Sequence, residues 1–315
     1  MGRRSFFKRK LTQIIPKSKT IDIIKSEMKF KILIIIFLLF ILQGCTIREN
    51  ISMNNEFYSE SGNQIINFSI SGDAQKQNLL LIHGLMGSST SFTDLMPYLE
   101  KEFRVTSIDL PGHGDSNLET EFSIDKISNI VIEFIEENFS GPILITGYSL
   151  GGTIANDINQ KSPNLISKCA LIDPWFSNNA STDLLLFKAL SLFEKNAKKS
   201  WKTDLDAFKH TSKINSKLTQ NQISLIATNR FKYNINIWDY TSIQKETLII
   251  NKGNNTEIPT LIIKPSSSLI KLSQIENIKD IYNSLKVVII ENTTHMIIFE
   301  NPEQISLELI DFYKG

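Results

Sequence analysis

The sequence predicts an α/β fold, a mostly parallel, doubly wound sheet with a helical cap insertion. Three observations carry this. Seven short apolar runs bounded by turn residues alternate with stretches of helical period, first over 64–172 and again over 259–313. The alternation implies parallel strands covered on both faces. The rhythm breaks between Asp173 and Glu257, where an apolar helical stretch gives way to Lys-rich and Asn-rich segments. At 315 residues, with 41% hydrophobic and 21% charged, the chain can bury a full core without staples, and disorder is excluded.

The elements follow in chain order. Residues 1–45 read as a basic leader and export signal. Ten Lys/Arg and two acids occupy residues 1–31, a local +8, so the remainder carries −7 of the net +1. A mildly acidic body argues against nucleic acid as the main partner. The apolar run Ile32–Leu42 is 11 residues long. That suits a signal-peptide core of about 7–15 residues better than a span of about 20. It ends in Leu42-Gln43-Gly44-Cys45, which resembles a bacterial lipobox with Cys45 as the lipidated residue. Met28-Lys29-Phe30-Lys31 forms a complete basic start to such a signal, which makes residues 1–27 an upstream extension. A retained signal anchor is the alternative. Either reading places the body in the bacterial cell envelope, held at the membrane. Residues 46–62 are polar and aperiodic and read as a tether.

The strands are expected at Gln64–Ile70, Leu79–Ile82, Arg104–Ile108, Pro142–Thr146, Lys168–Ile172, Pro259–Ile263 and Lys286–Ile290. Helices are expected at Phe92–Phe103, Ile124–Asn138, Gly152–Lys161 and from Asn301 onward. Asn301 suits the N-cap of that last helix, Pro302 its first position and Gln304 the reciprocal cap. Ile305, Leu309 and Phe312 would form its buried face. The core is thus 63–174 plus 258–315, with a cap over 175–257, a solvated satellite bundle being the alternative. Cys45 and Cys169 are the two cysteines, too few for a disulfide scaffold or a Cys-rich zinc site. Cys169, inside a strand, reads as a small buried hydrophobe.

The strongest chemical signal is Gly147-Tyr148-Ser149-Leu150-Gly151-Gly152, between an apolar strand and a helix start. A nucleophile on a sharp strand-to-helix turn needs glycine two residues before and two after, where side chains would clash. His83-Gly84-Leu85-Met86-Gly87 also follows a strand. The backbone N–H groups of Leu85 and Leu150 are candidates to hold an oxyanion, each such donor being worth about 10²–10³ in rate. Asp109-Leu110-Pro111-Gly112-His113-Gly114-Asp115-Ser116 reads as a rigid turn, with His113 structural. The chain order Ser, acid, His leaves His210 and His295 as bases. His210 lies in a Lys-flanked stretch of the cap. His295 follows the last strand, at the edge where Ser149 emerges, and an imidazole there suits proton shuttling near neutral pH.

Together these motifs resemble the α/β-hydrolase superfamily over about residues 64–313. The resemblance implies an eight-stranded or slightly trimmed sheet, a cap after the sixth strand and a Ser149–His295 relay. It also implies an oxyanion hole at Leu85 and Leu150, and no metal or organic cofactor. The acid departs from the family pattern. It is expected just after the seventh strand, where Pro259–Leu269 contains no carboxylate and Ser268 stands in its place. Asp173, after the sixth strand, is the candidate acid; Glu276, or a serine or water in the acid's stead, stays open. The resulting expectation is a membrane-tethered serine hydrolase acting on a small-molecule or lipid carboxylic ester through an acyl-serine. A catalytically degenerate binding protein of the same fold, or a C–C bond or amide hydrolase, is the alternative.

Overall fold

The computed structural model describes residues 55–58, 64–119, 121–175, 180–215, 217–238, 256–268, 275–276 and 279–315, with 55–58, 180–187 and 214 described by backbone alone. The leader, with its apolar run and Cys45, lies outside these residues. Among the described residues no helix is long and apolar enough to cross a membrane.

The strands are β1 (Asn55–Tyr58), β2 (Ile65–Ser71), β3 (Asn78–Ile82), β4 (Arg104–Ile108), β5 (Ile143–Tyr148), β6 (Ile166–Ile172), β7 (Thr260–Pro265) and β8 (Leu285–Ile290). They form one eight-stranded sheet in the order β1-β2-β4-β3-β5-β6-β7-β8. β1 and β2 pair antiparallel at one edge, and every pairing from β4 to β8 is parallel. β1 falls inside the stretch read as a tether: four of its residues, Asn55-Glu56-Phe57-Tyr58, extend the sheet edge. So short a strand has no apolar pattern of its own for the sequence to show.

Both faces of the central strands β3, β5 and β7 are buried. Leu80 and Ile82 face a cluster with Ile127, Val131, Phe134, Ile154 and Ile158. Leu79 and Leu81 face the opposite cluster, with Phe92, Leu95, Leu99, Ile305 and Leu309. This alternation within one apolar run is the side-chain period of a strand covered on both sides.

The helices are α1 (Met96–Leu99), α2 (Ile124–Asn138), α3 (Leu150–Lys161), α4 (Ala180–Ser200), α5 (Asp204–Ile214), α6 (Gln220–Lys232), α7 (Ile297–Glu300) and α8 (Pro302–Lys314). The continuous helix expected over Phe92–Phe103 is instead a 3₁₀ turn at Ser89–Phe92 followed by the single turn α1. Pro97 has no N–H to return to Thr93, so a helix cannot run through it, but Pro opens one readily. α8 carries the expected cap, Asn301 accepting from Gln304 N. Its fully buried face is Ile305, Leu309 and Tyr313, while Phe312 packs only partly.

α4, α5 and α6 fall between β6 and β7, in the interval read as the cap. Arg230 and Glu194 form a buried ion pair there (2.5 and 2.7 Å), and Arg230 also donates to Thr211. α6 is fastened to loops of the sheet. Gln222 donates to Asp94 Oδ2 (2.7 Å) and to the Phe299 carbonyl (2.9 Å), and Asn229 Oδ1 accepts from Ser88 Oγ (2.9 Å).

Register brings the strand ends level. The row Ile108–Ile82–Gly147–Leu171–Ile262 crosses five strands, and the row above it aligns Tyr148, Ile172 and Ile263. The residues that leave β5 and β6, Ser149 and Asp173, therefore emerge side by side at the carboxyl edge.

Candidate active site

β5 ends at Tyr148 and α3 begins at Leu150, so Ser149 makes the whole turn, at φ 54° and ψ −117°. The flanking glycines permit it. A Cβ on Gly147 would lie 2.1 Å from the Gly151 carbonyl oxygen, and one on Gly151 would lie 2.1 Å from that of Ile82. Ser149 occupies the N-cap position of α3, yet its hydroxyl accepts no capping hydrogen bond. The hydroxyl points instead to His295, with Nε2 to Oγ 3.0 Å.

The other ring nitrogen, Nδ1, lies 2.7 Å from Asp173 Oδ2. Asp173 is buried, and its second oxygen accepts a hydrogen bond from Ser268 Oγ. Its backbone N–H donates to the Ile263 carbonyl (2.7 Å), which ties the turn after β6 to β7. The structure thus brings Ser149, His295 and Asp173 into one continuous chain of contacts. Glu276 is exposed and paired with Lys279.

The His295 loop is held from three directions. Tyr148 stacks on the imidazole (centroids 5.3 Å, planes at 27°) and donates its hydroxyl to the His295 carbonyl at 2.6 Å. Burial, with the negative charges of Asp173 and Glu300 adding to it, pushes the Tyr148 phenol well above its ordinary range, so it stays a donor. Glu300 accepts from Thr294 N (2.6 Å) and Thr294 Oγ1 (2.8 Å), which closes the loop onto α7. Tyr148 and Glu300 carried no signal in the sequence beyond adjacency to Ser149 and His295, because both act through contacts that exist only after folding.

The turn after β3 lies against the nucleophile. A Cβ on Gly84 would stand 3.0 Å from that of Ser149. The amides of Leu85 and Leu150 donate to no other group among the described residues, and Leu150 N–H belongs to the first turn of α3, the positive end of its dipole. Four residues other than glycine hold positive φ among the described residues: Met86, Ser149, Asp173 and Asn292. Each sits in one of the four turns that compose this site, where stored backbone strain is characteristic of function.

The other histidines are engaged elsewhere. His83 is buried, accepts from Leu110 N at Nε2 (3.0 Å) and contacts the Gly84 carbonyl through Nδ1 (2.7 Å). Burial lowers its pKa to about 4. His113 is buried beside His83 and Phe122 with Nδ1 on the Pro111 carbonyl; burial first, then His83, lowers its pKa to about 3. His210 packs on Phe193 and Trp201 within the α4–α5 region. Among the described residues no cluster of three His, Cys, Asp or Glu is placed to hold a metal.

Residues 77–302 match the family model described as the alpha/beta hydrolase fold. The chain belongs to that family. It is 24% identical over 241 residues, 72% of its own length, to the (E)-2-((N-methylformamido)methylene)succinate hydrolase of Acinetobacter baylyi, of which it covers 87%. It is 33% identical over 111 residues to a pimeloyl-[acyl-carrier protein] methyl ester esterase of Neisseria meningitidis; that match spans 35% of this chain and 41% of the relative. A solved hydrolase from Pseudomonas aeruginosa superposes with a TM-score of 0.71 at 16% identity, over 84% of this chain and all of that one, a likeness of fold. Family and relatives together support hydrolase activity.

Proposed function

We propose that this α/β hydrolase cleaves carboxylic esters through an acyl-Ser149 intermediate. The observation that carries the reading is the unbroken line from Ser149 Oγ through His295 to Asp173, at 3.0 and 2.7 Å. His295 Nε2 takes the hydroxyl proton as Oγ attacks the ester carbonyl, and the carbonyl oxygen, now negative, is held by the amides of Leu85 and Leu150. The same proton passes from Nε2 to the leaving alcohol as the C–O bond breaks. Water then repeats the cycle on the acyl-enzyme: His295 takes its proton, the acid departs, and Oγ regains a hydrogen. Asp173 holds Nδ1–H and stabilises the imidazolium in both halves.

Asp173 at 2.7 Å from Nδ1 supports the hydrolase reading over a binding protein that lacks the acid. A second reading, cleavage of an amide-type bond, is favoured by the Acinetobacter relative, whose named substrate carries a formamido group. Turnover of p-nitrophenyl esters set against the matching anilides separates the two. The expected result is hydrolysis of the ester, uptake of a fluorophosphonate probe, and loss of both in Ser149→Ala with the melting temperature kept. Probe uptake that survives in Ser149→Ala refutes the assignment.

The envelope tether is part of the same proposal. Its support is the basic leader, the 11-residue apolar run and Cys45. Labelled palmitate fed to cells expressing the full chain is expected to enter the protein and to be lost in Cys45→Ala; retained label would rule out Cys45 as the acceptor.

A further inference from the structure

The acid of the relay comes from the turn after β6, while the position after β7 at which the family resemblance places an acid holds Ser268. The two are in contact: Ser268 Oγ donates to Asp173 Oδ1, and Asp173 Oδ2 faces His295 Nδ1 at 2.7 Å. A buried carboxylate has two chemically equivalent oxygens and needs a partner for each. With one donor, its plane can turn and the oxygen facing the imidazole is unspecified. With two donors on different loops, the plane is set.

The loop that carries Ser268 is itself tied to the loop that carries His295. Ser266 N donates to the Ile290 carbonyl (3.0 Å) and Ser267 N to the Thr293 carbonyl (3.1 Å). The hydroxyl that fastens the acid is therefore fixed in the frame of the imidazole, rather than in the frame of β6 alone.

We propose that Ser268 is a positioning residue of the relay: its hydroxyl locks the Asp173 carboxylate so that one oxygen stays on His295 Nδ1. It divides between two turns the work that a single acid after β7 would do, with charge from Asp173 and orientation from Ser268. The proposal rests on the Ser149 hydrolase reading for its kinetic consequence but not for its geometric one.

The test uses the purified full chain, with Ser268→Ala and Ser268→Thr beside wild type, p-nitrophenyl butyrate as substrate and fluorophosphonate titration to count competent sites. A hydrogen bond to a charged group is lost in Ser268→Ala, so kcat per titrated site is expected to fall about 10- to 100-fold. KM is expected to stay within about twofold, since Ser268 acts through Asp173 and touches no substrate. The carboxylate, no longer fixed in plane, holds the imidazolium less firmly, so the acid limb of the kcat/KM profile moves to lower pH. Ser268→Thr keeps the hydroxyl and is expected to restore both.

A Ser268→Ala enzyme with wild-type kcat and an unmoved acid limb overturns the proposal. So does a fall in kcat that Ser268→Thr fails to rescue with the acid limb in place, which marks a structural role. The proton on His295 Nδ1, read by NMR, carries the test apart from turnover. If wild type hydrolyses no ester, the hydrolase reading fails by itself. The positioning claim then stands on a resonance that moves in Ser268→Ala and returns in Ser268→Thr, and falls if it does not move.

Discussion

Two turns flank β3 at the carboxyl edge and are built from the same residue types, yet they do opposite things. In the turn after β4, Asp109–Ser116, the side chains of Asp109 and Ser116 bond backbone groups. Asp109 Oδ1 accepts from Ser89 N (2.6 Å), Oδ2 accepts from Asp115 N (2.9 Å), and Ser116 Oγ donates to the Asp109 carbonyl (2.7 Å). The turn after β5 leaves its serine uncommitted locally, and that hydroxyl meets a histidine 146 positions along the chain. Where the first turn needs positive φ it uses Gly112 and Gly114; where the second needs it, a serine bears the strain. A strained residue other than glycine costs about 1–3 kcal/mol and persists only where the surroundings hold it. Serine, aspartate and histidine are structural here where their bonds go to backbone groups, and chemical where side chain meets side chain across strands.

Exchanging equivalent acids in the two settings gives the largest contrast. Asp173→Asn is expected to lower kcat by about 10⁴, because the amide no longer holds the imidazole in its working tautomer. Its unfolding free energy should change far less than its rate. Asp109→Ala should do the reverse: loss of about 2–4 kcal/mol in urea unfolding, from two amides left without their acceptor, with kcat per titrated site near wild type. A large rate loss in Asp109→Ala, measured per competent site, would erase the distinction.

Acid pH offers the next contrast. Burial lowers the pKa of His83 from 6.5 to about 4 and that of His113 to about 3. Below about pH 6.5 the unfolded chain takes up these protons and the folded one does not. Stability is therefore full above that pH and drains as pH falls toward 4 for His83 and toward 3 for His113. Each contributes about 1.4 kcal/mol per pH unit inside its window. His83→Gln, which keeps an acceptor for Leu110 N, should flatten the slope of urea stability between pH 6 and 4.5 by about that amount. An unchanged slope would show that His83 protonates while folded.

The smallest effect expected is in Tyr148→Phe. The ring stack on His295 survives and one hydrogen bond, to the His295 carbonyl, is lost. A neutral hydrogen bond is worth about 1 kcal/mol, so kcat should drop about fivefold with KM steady. Tyr148→Ala, which removes the stack as well, should fall further in a stopped assay of the same ester.

The contrast also marks what sequence alone could resolve. Both turns were readable, and so was the difference in their roles. The glycine spacing around Ser149 reports a steric need that is local, and the Pro-Gly-His-Gly run reports a turn that is local too. Asp173 was not separable from a turn-forming aspartate before Pro174. Its partner His295 lies 122 positions away, after β8, and the turns after β6 and β8 meet only because both strands pair with β7 in parallel register, Ile172–Ile263 and Ile263–Val288. Ser268 carried the complementary ambiguity: the missing acid was visible, and the contact with Asp173 was not.

The chain order alone was enough for the sheet class, the helices α2, α3 and α8, the nucleophile turn and the histidine loop, because hydrophobic period, capping residues and glycine clashes act over a few neighbouring positions. The acid, the donor that locks it, the aromatic seat beneath the imidazole and the short edge strand at residues 55–58 came from packing. Each depends on which strands lie side by side and at what register, and those pairings are settled by burying two faces of one sheet at once.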